Sequence, residues 1–318
     1  DSEPGKMSQN NMKNYLHQSE TSGLPARIMI LGGTRGMLGP ALAQQLKITG
    51  CQVLPVEPCQ DGGFNADGFC RQLERHEPDL VIYTLCTSSF HRADQESSSF
   101  FYWNKELPCF VAQALNRFEL GLVTFSSDCV FDGRQQVPYT VNDEPHPISV
   151  KGESFFAGER ALQEVGLKSL LIIRSSWLFG PFGPNFVDWV MHKGQQCQYL
   201  QVTHDEIGSP TYSLDLASYA IRLMACKVTG VHHVCNSGQA SWCELAAETL
   251  NACGLNCKVQ AVTEKADHLQ CQRPAFSALD SRQSLALAKT KARPWPHALR
   301  DYIFTFHPHQ VQGEELEG

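Results

Sequence analysis

The stretch from residue 26 to residue 50 constrains this chain more than any other. An apolar run, ARIMIL (residues 26–31), passes without a linker into GGTRGMLG (residues 32–39), and PALAQQLKITG (residues 40–50) then repeats apolar side chains at helical spacing. Strand, glycine-rich turn and helix in that order suit a dinucleotide. Small residues let the backbone approach a pyrophosphate, and the helix N-terminus offers free N–H groups and a positive dipole end. Gly33, Arg35, Gly36, Met37, Leu38 and Gly39 are therefore the expected cofactor contacts.

The second strand, QVLPVE, ends at Glu57, about 20 residues beyond the glycines. An acidic side chain there can accept hydrogen bonds from the adenosine ribose and repels a 2′-phosphate, which favours NAD over NADP. Arg35 pulls the other way, because a guanidinium in the turn can pair with that phosphate. The balance of the two favours NAD.

Further along, Leu80 to Leu85 reads as a third strand, residues 97–118 (SSSFFYWNKELPCFVAQALNRF) as one long helix, and LVTFSS (residues 122–127) as a strand. A loop rich in Gly, Pro and Asp leads through Pro147 to a helix over 151–166 and the strand SLLIIRSS (residues 169–176). Nearly apolar strands alternating with helices predict a doubly wound parallel α/β sheet covered on both faces. After Trp177 the alternation loosens, with helices at 215–225 and 242–252. The expected organisation is a polar tail over 1–25 and a dinucleotide-binding domain over 26–176, to which 212–236 returns. A smaller α/β substrate domain is expected over 177–211 and 237–306, with a C-terminal tail over 307–318.

Other function classes are disfavoured by composition. The net charge of -7, from 26 Lys+Arg against 33 Asp+Glu, argues against gripping nucleic acid through its phosphates. No apolar run approaches the 18 or so residues a membrane span needs. Residues 1–25 lack the apolar core of a secretory signal, so a cytoplasmic protein is expected. The 13 cysteines are scattered without a CxxC pair, and neither His91 nor His232 and His233 has a partner at ligand spacing, so no metal site is expected.

Several segments carry a family resemblance: SSDCVFDG (126–133), RSSWLFGPFGPNF (174–186), DEIGSPT (205–211), SGQASWCELA (237–246) and QRPAFSALD (272–280). In this order the chain resembles the dTDP-4-dehydrorhamnose reductases, extended short-chain dehydrogenase/reductases that reduce a 4-keto nucleotide sugar. The likeness runs from about Ala26 to Ile303. It implies a Rossmann-like fold, NAD or NADP as cofactor, a nucleotide-sugar substrate and a possible homodimer. It places the family's catalytic Ser or Thr on Ser127 and a structural Asn on the cofactor side at Asn104. Substrate contacts are implied for Asn185, Phe186, Ser209, Thr211 and Arg273. Glu206 stands where a Gln is usual, and Trp177 and Phe186 are equally readable as packing between domains.

One part of the pattern is broken. The family carries Tyr-x-x-x-Lys on the helix ending in AGE. Here that helix reads PISVKGESFFAGE, so Lys151 occupies the Tyr position and Phe155 the Lys position. The Tyr protonates the substrate oxygen as hydride arrives, a step worth typically 10²–10⁴-fold. Phe155 has neither charge nor donor. Lys151 can donate a proton, clamp a carbonyl or phosphate, or simply be solvated at a helix start, and Ser127 can orient a ligand or cap the end of a strand.

Three readings stay open on sequence. The first is an NAD(P)-dependent oxidoreductase with altered acid chemistry. The second is a non-catalytic dinucleotide-binding regulator of a partner enzyme, resembling the beta subunit of methionine adenosyltransferase. The third is different biosynthetic chemistry at Lys151.

Overall fold

The computed structural model of the protein describes residues 21–34, 36–57, 66–85, 97–263 and 273–308. Strand β1 (Arg27–Leu31) leads into α1 (Leu38–Ile48), followed by β2 (Gln52–Val56), α2 (Ala66–His76) and β3 (Leu80–Tyr83). A helical stretch runs as α3 (Ser97–Phe101), a π segment over Tyr102–Glu106 and α4 (Leu107–Arg117), then β4 (Gly121–Ser127) and a 3-10 turn over Asp128–Val130. Next come α5 (Val150–Val165), β5 (Leu170–Ser175), β6 (Leu178–Phe179), α6 (Phe186–Gly194), β7 (Tyr199–Thr203), β8 (Ile207–Gly208) and β9 (Thr211–Tyr212). The described residues continue with α7 (Ser213–Ala225), β10 (Gly230–His233), β11 (Ala240–Ser241), α8 (Trp242–Ala252), β12 (Lys258–Val262), α9 (Arg282–Leu287) and α10 (Trp295–Phe306).

Six strands form the doubly wound parallel sheet that the alternation predicts, in the order β10-β5-β4-β3-β1-β2. Every residue of β3 is buried, as are all but the first of β5, because helices cover both faces. That double burial is why both strands are continuous apolar runs. One face packs Ile28, Ile30 and Ile173 against Leu42 and Leu46 of α1 and Leu216 and Ile221 of α7. The opposite face packs Met29, Leu31 and Val81 against Phe69 of α2, Val111 and Leu115 of α4 and Leu162 of α5. β7 and β12 pair in parallel outside the main sheet, covered by α6 and α8. The start of α8 is fixed by a capping box between Ser241 and Glu244.

Five boundaries differ from the sequence expectation. The expected single helix over 97–118 is widened at Tyr102–Glu106. Pro108 has no N–H to return to the carbonyl of Asn104 four residues back, and Gly158 of α5 packs so closely that a Cβ there would lie 1.9 Å from that carbonyl oxygen. β2 and β3 stop short of Glu57 and Leu85, because the chain turns there into the crevice. Residues 21–25 are not a free tail: Thr21 is buried, and a Cβ on Gly23 would lie 2.1 Å from the Ala225 carbonyl oxygen at the end of α7. His307 likewise packs, its Nε2 lying 3.0 Å from the Tyr302 hydroxyl. Among the described residues no helix is long and apolar enough to cross a membrane.

Candidate active site

The parallel order 2-1-3-4-5 puts a topological switch point between β1 and β3, and a crevice opens there at the C-terminal strand ends. Gly32 (φ +84°) and Gly36 (φ +68°) take left-handed conformations that turn the chain out of β1. Gly39 seats α1: a Cβ there would lie 1.9 Å from the Gly32 carbonyl oxygen. Met37 precedes α1 as its N-cap and makes no side-chain cap, and the first turn holds no acidic residue. Its first N–H groups are thus free of a competing side-chain acceptor, and the arrangement fits the diphosphate of a dinucleotide. Glu57 closes the turn from the end of β2, its Oε1 accepting from the Thr34 N–H at 2.8 Å and the Thr34 hydroxyl at 2.6 Å.

A cavity of about 220 Å3 lies against this turn, bounded by Thr84, Leu85, Ser127, Asp128, Ser176 and Trp177 from the ends of β3, β4 and β5. Gly36, Met37 and Leu38 line one side, and Lys151 and Phe155 of α5 line another. Asn185, Phe186, Trp242 and Arg273 line it from the second layer. A larger concavity of about 1110 Å3, near Asn236, Asp280 and Lys289, contains none of the turn and neither Ser127 nor Lys151. The smaller cavity is therefore the candidate site.

Its polar floor is held by a buried network. Asp128 accepts from the Ser127 hydroxyl at 3.0 Å, the Ser176 hydroxyl at 2.8 Å and the Ser277 hydroxyl at 2.6 Å. Ser127 also caps the 3-10 turn by accepting from the Cys129 N–H at 3.2 Å. Ser127 thus caps the turn that ends β4, and it also lines the cavity. One layer down, Glu159 receives Arg174 at 2.9 and 2.6 Å and the Ser126 hydroxyl at 2.5 Å, a buried pair with further hydrogen bonds. Arg174 also lies 3.4 Å from His233 Nε2. Burial first, and Arg174 second, push the His233 pKa down to about 3, so the ring is neutral. Burial and Asp128 raise the Cys129 thiol, while Lys151 and Arg273 oppose the shift. Two cations therefore act on one wall of the cavity.

The aromatic wall is a stack. Trp177 and Trp242 lie parallel with centroids 3.6 Å apart, and the Arg273 guanidinium sits 5.3 Å from the Trp242 centroid. Glu206 accepts from the Trp242 indole N–H at 2.9 Å. Gly208 is required beneath Trp177, since a Cβ there would lie 2.3 Å from the indole.

Not every expected site residue reaches the cavity. Asn104 is buried and donates to the Ser154 hydroxyl at 2.9 Å, so it clamps the π segment to α5. Ser209 and Thr211 are fully buried: Ser209 accepts from the Leu279 N–H and Thr211 donates to the Ser209 carbonyl, both within the framework. None of the three lines the cavity: the polar side-chain atoms of Ser209 and Thr211 bond within the framework, and Asn104 holds Ser154 through its amide N–H while its buried Oδ1 has no hydrogen-bond partner among the described residues. Asn185 lines it, but its amide is taken up capping α6 and bonding the Gly180 carbonyl. Arg35 and His91 lie outside the described residues. Sequence reasoning missed Trp242, Thr84 and the Arg174–Glu159 pair. A charged residue inside the apolar strand SLLIIRSS was the available signal, since a buried guanidinium demands a buried carboxylate. Among the described residues no cluster of three or more His, Cys, Asp or Glu could hold a metal.

The family model of the RmlD substrate binding domain matches residues 26–307. The chain belongs to that family. It is 31% identical over 275 residues to the spore coat polysaccharide biosynthesis protein SpsK of Bacillus subtilis, covering 86% of this chain and 96% of that protein. It is 30% identical over 292 residues to the dTDP-4-dehydrorhamnose reductase of Aggregatibacter actinomycetemcomitans, covering 87% and 98% respectively. Among solved structures, the dTDP-4-dehydrorhamnose reductase of Bacillus anthracis in complex with NADP superimposes with a TM-score of 0.80 at 26% identity, over 88% of this chain and 99% of that one. The UDP-glucose 4-epimerase of Thermus thermophilus in complex with NAD, at 16% identity and a TM-score of 0.74, shares the fold. Lys151, Phe155 and Glu206 are the positions at which this chain departs from the pattern set out above.

Proposed function

We propose that this chain is a nicotinamide-dinucleotide-dependent reductase of a nucleotide-linked 4-keto sugar in which Lys151 stands in for the tyrosine as proton donor. The observation that carries the reading is the meeting of the Gly36–Leu38 turn, Ser127 and Lys151 around one cavity. The dinucleotide, when bound, supplies the hydride. Gly32, Gly36 and Gly39 shape its seat and the first turn of α1 faces its diphosphate. The Ser127 hydroxyl orients the substrate carbonyl. The Lys151 ammonium holds a proton at the carbonyl oxygen and gives it up as charge develops there. Arg273 and Lys151 together make the cavity suited to an anionic sugar nucleotide. Glu57, already tied to Thr34 at the end of β2, supports NAD over NADP.

One observation favours a second reading, a dinucleotide-binding regulator of a partner enzyme. Phe155 is buried and packs with Val130, Phe131 and Phe276 where the pattern has a lysine. The experiment that separates the two follows NADH and NADPH absorbance with purified protein and dTDP-4-dehydrorhamnose, alongside a fluorescence titration of each dinucleotide. The reductase reading expects oxidation only when the sugar is present. Tight binding with no sugar-dependent oxidation refutes it and leaves the regulator and the different chemistry at Lys151, which co-purification of a partner enzyme then separates.

A further inference from the structure

We propose that Cys197 and Cys257 are a redox modification site, a thiol pair that closes to a reversible disulfide on exchange with a low-molecular-weight disulfide. Cys197 follows α6 and Cys257 precedes β12, and their sulfurs lie 3.7 Å apart. Tyr199 of β7 is opposite Lys258 of β12, and the Lys258 N–H donates to the Gln198 carbonyl at 2.9 Å. Stepping this register back one residue sets Cys257 opposite Gln198, so Cys197 lies one residue out of step on the neighbouring backbone, and the 3.7 Å between the sulfurs shows that the two side chains turn towards each other. Disulfide sulfurs sit about 2.05 Å apart, so the gap of 3.7 Å must close by about 1.7 Å. Side-chain rotation at Cys197 can supply that without shifting the paired strands. Its present bond, from Sγ to the Lys193 carbonyl at 3.1 Å, is a weak sulfur donor bond.

The two thiols divide the chemistry. Cys197 is partly exposed and Cys257 is buried, so the incoming disulfide meets Cys197 first. The Cys197 thiol gives its proton to solvent and attacks one sulfur of oxidised glutathione. One glutathione leaves as a thiolate, which solvent protonates. Cys257 then loses its proton and attacks Cys197 Sγ, and the second glutathione leaves in the same way. Two protein thiols are oxidised, one small disulfide is reduced to two thiols, and no other reactant is needed. Burial, with Cys197 beside it, pushes the Cys257 thiol up to about 11, so the second step quickens as pH rises from 7 towards 9.

The bond would tie the α6–β7 connection to the α8–β12 connection at the start of one paired sheet. A Cβ on Gly194, the last residue of α6, would lie 2.3 Å from Leu250 of α8 and 3.8 Å from the Cys257 Cβ. The opposite ends of the same two helices present Phe186 and Trp242 to the cavity.

The test treats full-length protein with oxidised glutathione at pH 8.5, blocks remaining thiols, and maps tryptic peptides without reduction. Residues 194–222 hold Cys197 and residues 228–258 hold Cys257, each free of internal Lys and Arg. The expected result is a cross-link between these two peptides that is lost on reduction and is absent from both Cys197→Ala and Cys257→Ala. The oxidised wild type should also melt several °C above the reduced protein, with no such rise in Cys197→Ala, whose partly exposed site keeps the fold intact. Because residues 228–258 also carry Cys235, Cys243 and Cys253, a cross-link that survives Cys257→Ala overturns the proposal. So does a glutathione adduct at Cys197 that never resolves, or no loss of either thiol.

Discussion

Replacing Gly39 by Ala is the sharpest test of the dinucleotide seat. The added methyl would lie 1.9 Å from the Gly32 carbonyl oxygen and 3.1 Å from the Thr84 hydroxyl. Carbon–oxygen contacts rarely fall below about 3.3 Å, so α1 must withdraw by about 1.4 Å. Movement of the Gly32 carbonyl instead would disturb the single Thr84 hydroxyl proton that the Leu31 and Gly32 carbonyls share at 2.9 and 3.2 Å. Overpacking of this kind costs about 1–3 kcal/mol, and displacing the first turn of α1 weakens the diphosphate contacts by about 10–100-fold, or about 1.4–2.7 kcal/mol. Gly36→Ala is the matched control. Nothing lies within 4 Å of its added Cβ, so only the φ of +68° is penalised, at about 1–2 kcal/mol. The assay is fluorescence titration with NADH and NADPH, with a thermal melt of each variant. Wild-type affinity and melting temperature in Gly39→Ala would refute the reasoning.

Lys151→Ala is expected to lower sugar-dependent NAD(P)H oxidation by about 10²–10⁴-fold while leaving dinucleotide affinity unchanged, read by steady-state rates and titration. Glu57→Gln removes the charge that repels a 2′-phosphate, so the ratio of Kd values for NADH and NADPH should move about tenfold towards NADPH. His233, held neutral with a pKa of about 3 against an ordinary 6.5, makes the unfolded chain bind the extra proton between those values. Stability contributed by the neutral ring is therefore complete above pH 6.5 and lost as pH falls, by up to about 1.4 kcal/mol per pH unit. Urea unfolding at pH 7 and pH 5 should show this slope in the wild type and a smaller one in His233→Asn.

Much of the architecture was legible because it rests on local patterns. The turn after ARIMIL marks the crevice, since strand, left-handed glycines and an uncapped helix start are all written within residues 26–50. The continuous apolar runs LVIY and LLII announce strands buried on both faces. What stayed hidden depends on contacts distant in sequence. Nothing near DEIGSPT reveals that Ser209 and Thr211 are spent on Leu279 and on each other, which only the folded loop decides. Asn104 reads as a structural residue on the cofactor side, and its partner, the Ser154 hydroxyl, lies 50 positions away on α5. The stack of Trp177 on Trp242 joins residues 65 positions apart, and no spacing rule connects them.

The exchange at the catalytic motif has its own physical logic. Lys151 and Phe155 are four residues apart on α5, so they share one helix face and both look into the cavity. Relative to the family's pattern, one positive charge is kept but moved one turn, about 6 Å along the axis. Position 155 is only 6% exposed and surrounded by Val130, Phe131 and Phe276, so a cation there would need a dedicated partner, and phenylalanine removes that need. Lys151 gains nothing comparable from the fold. It sits in the first turn of α5, where the helix dipole disfavours a cation by about 0.3–1 kcal/mol. A lysine placed against the dipole and half-buried beside Ser127 is better explained by what enters the cavity than by the stability of the helix that carries it.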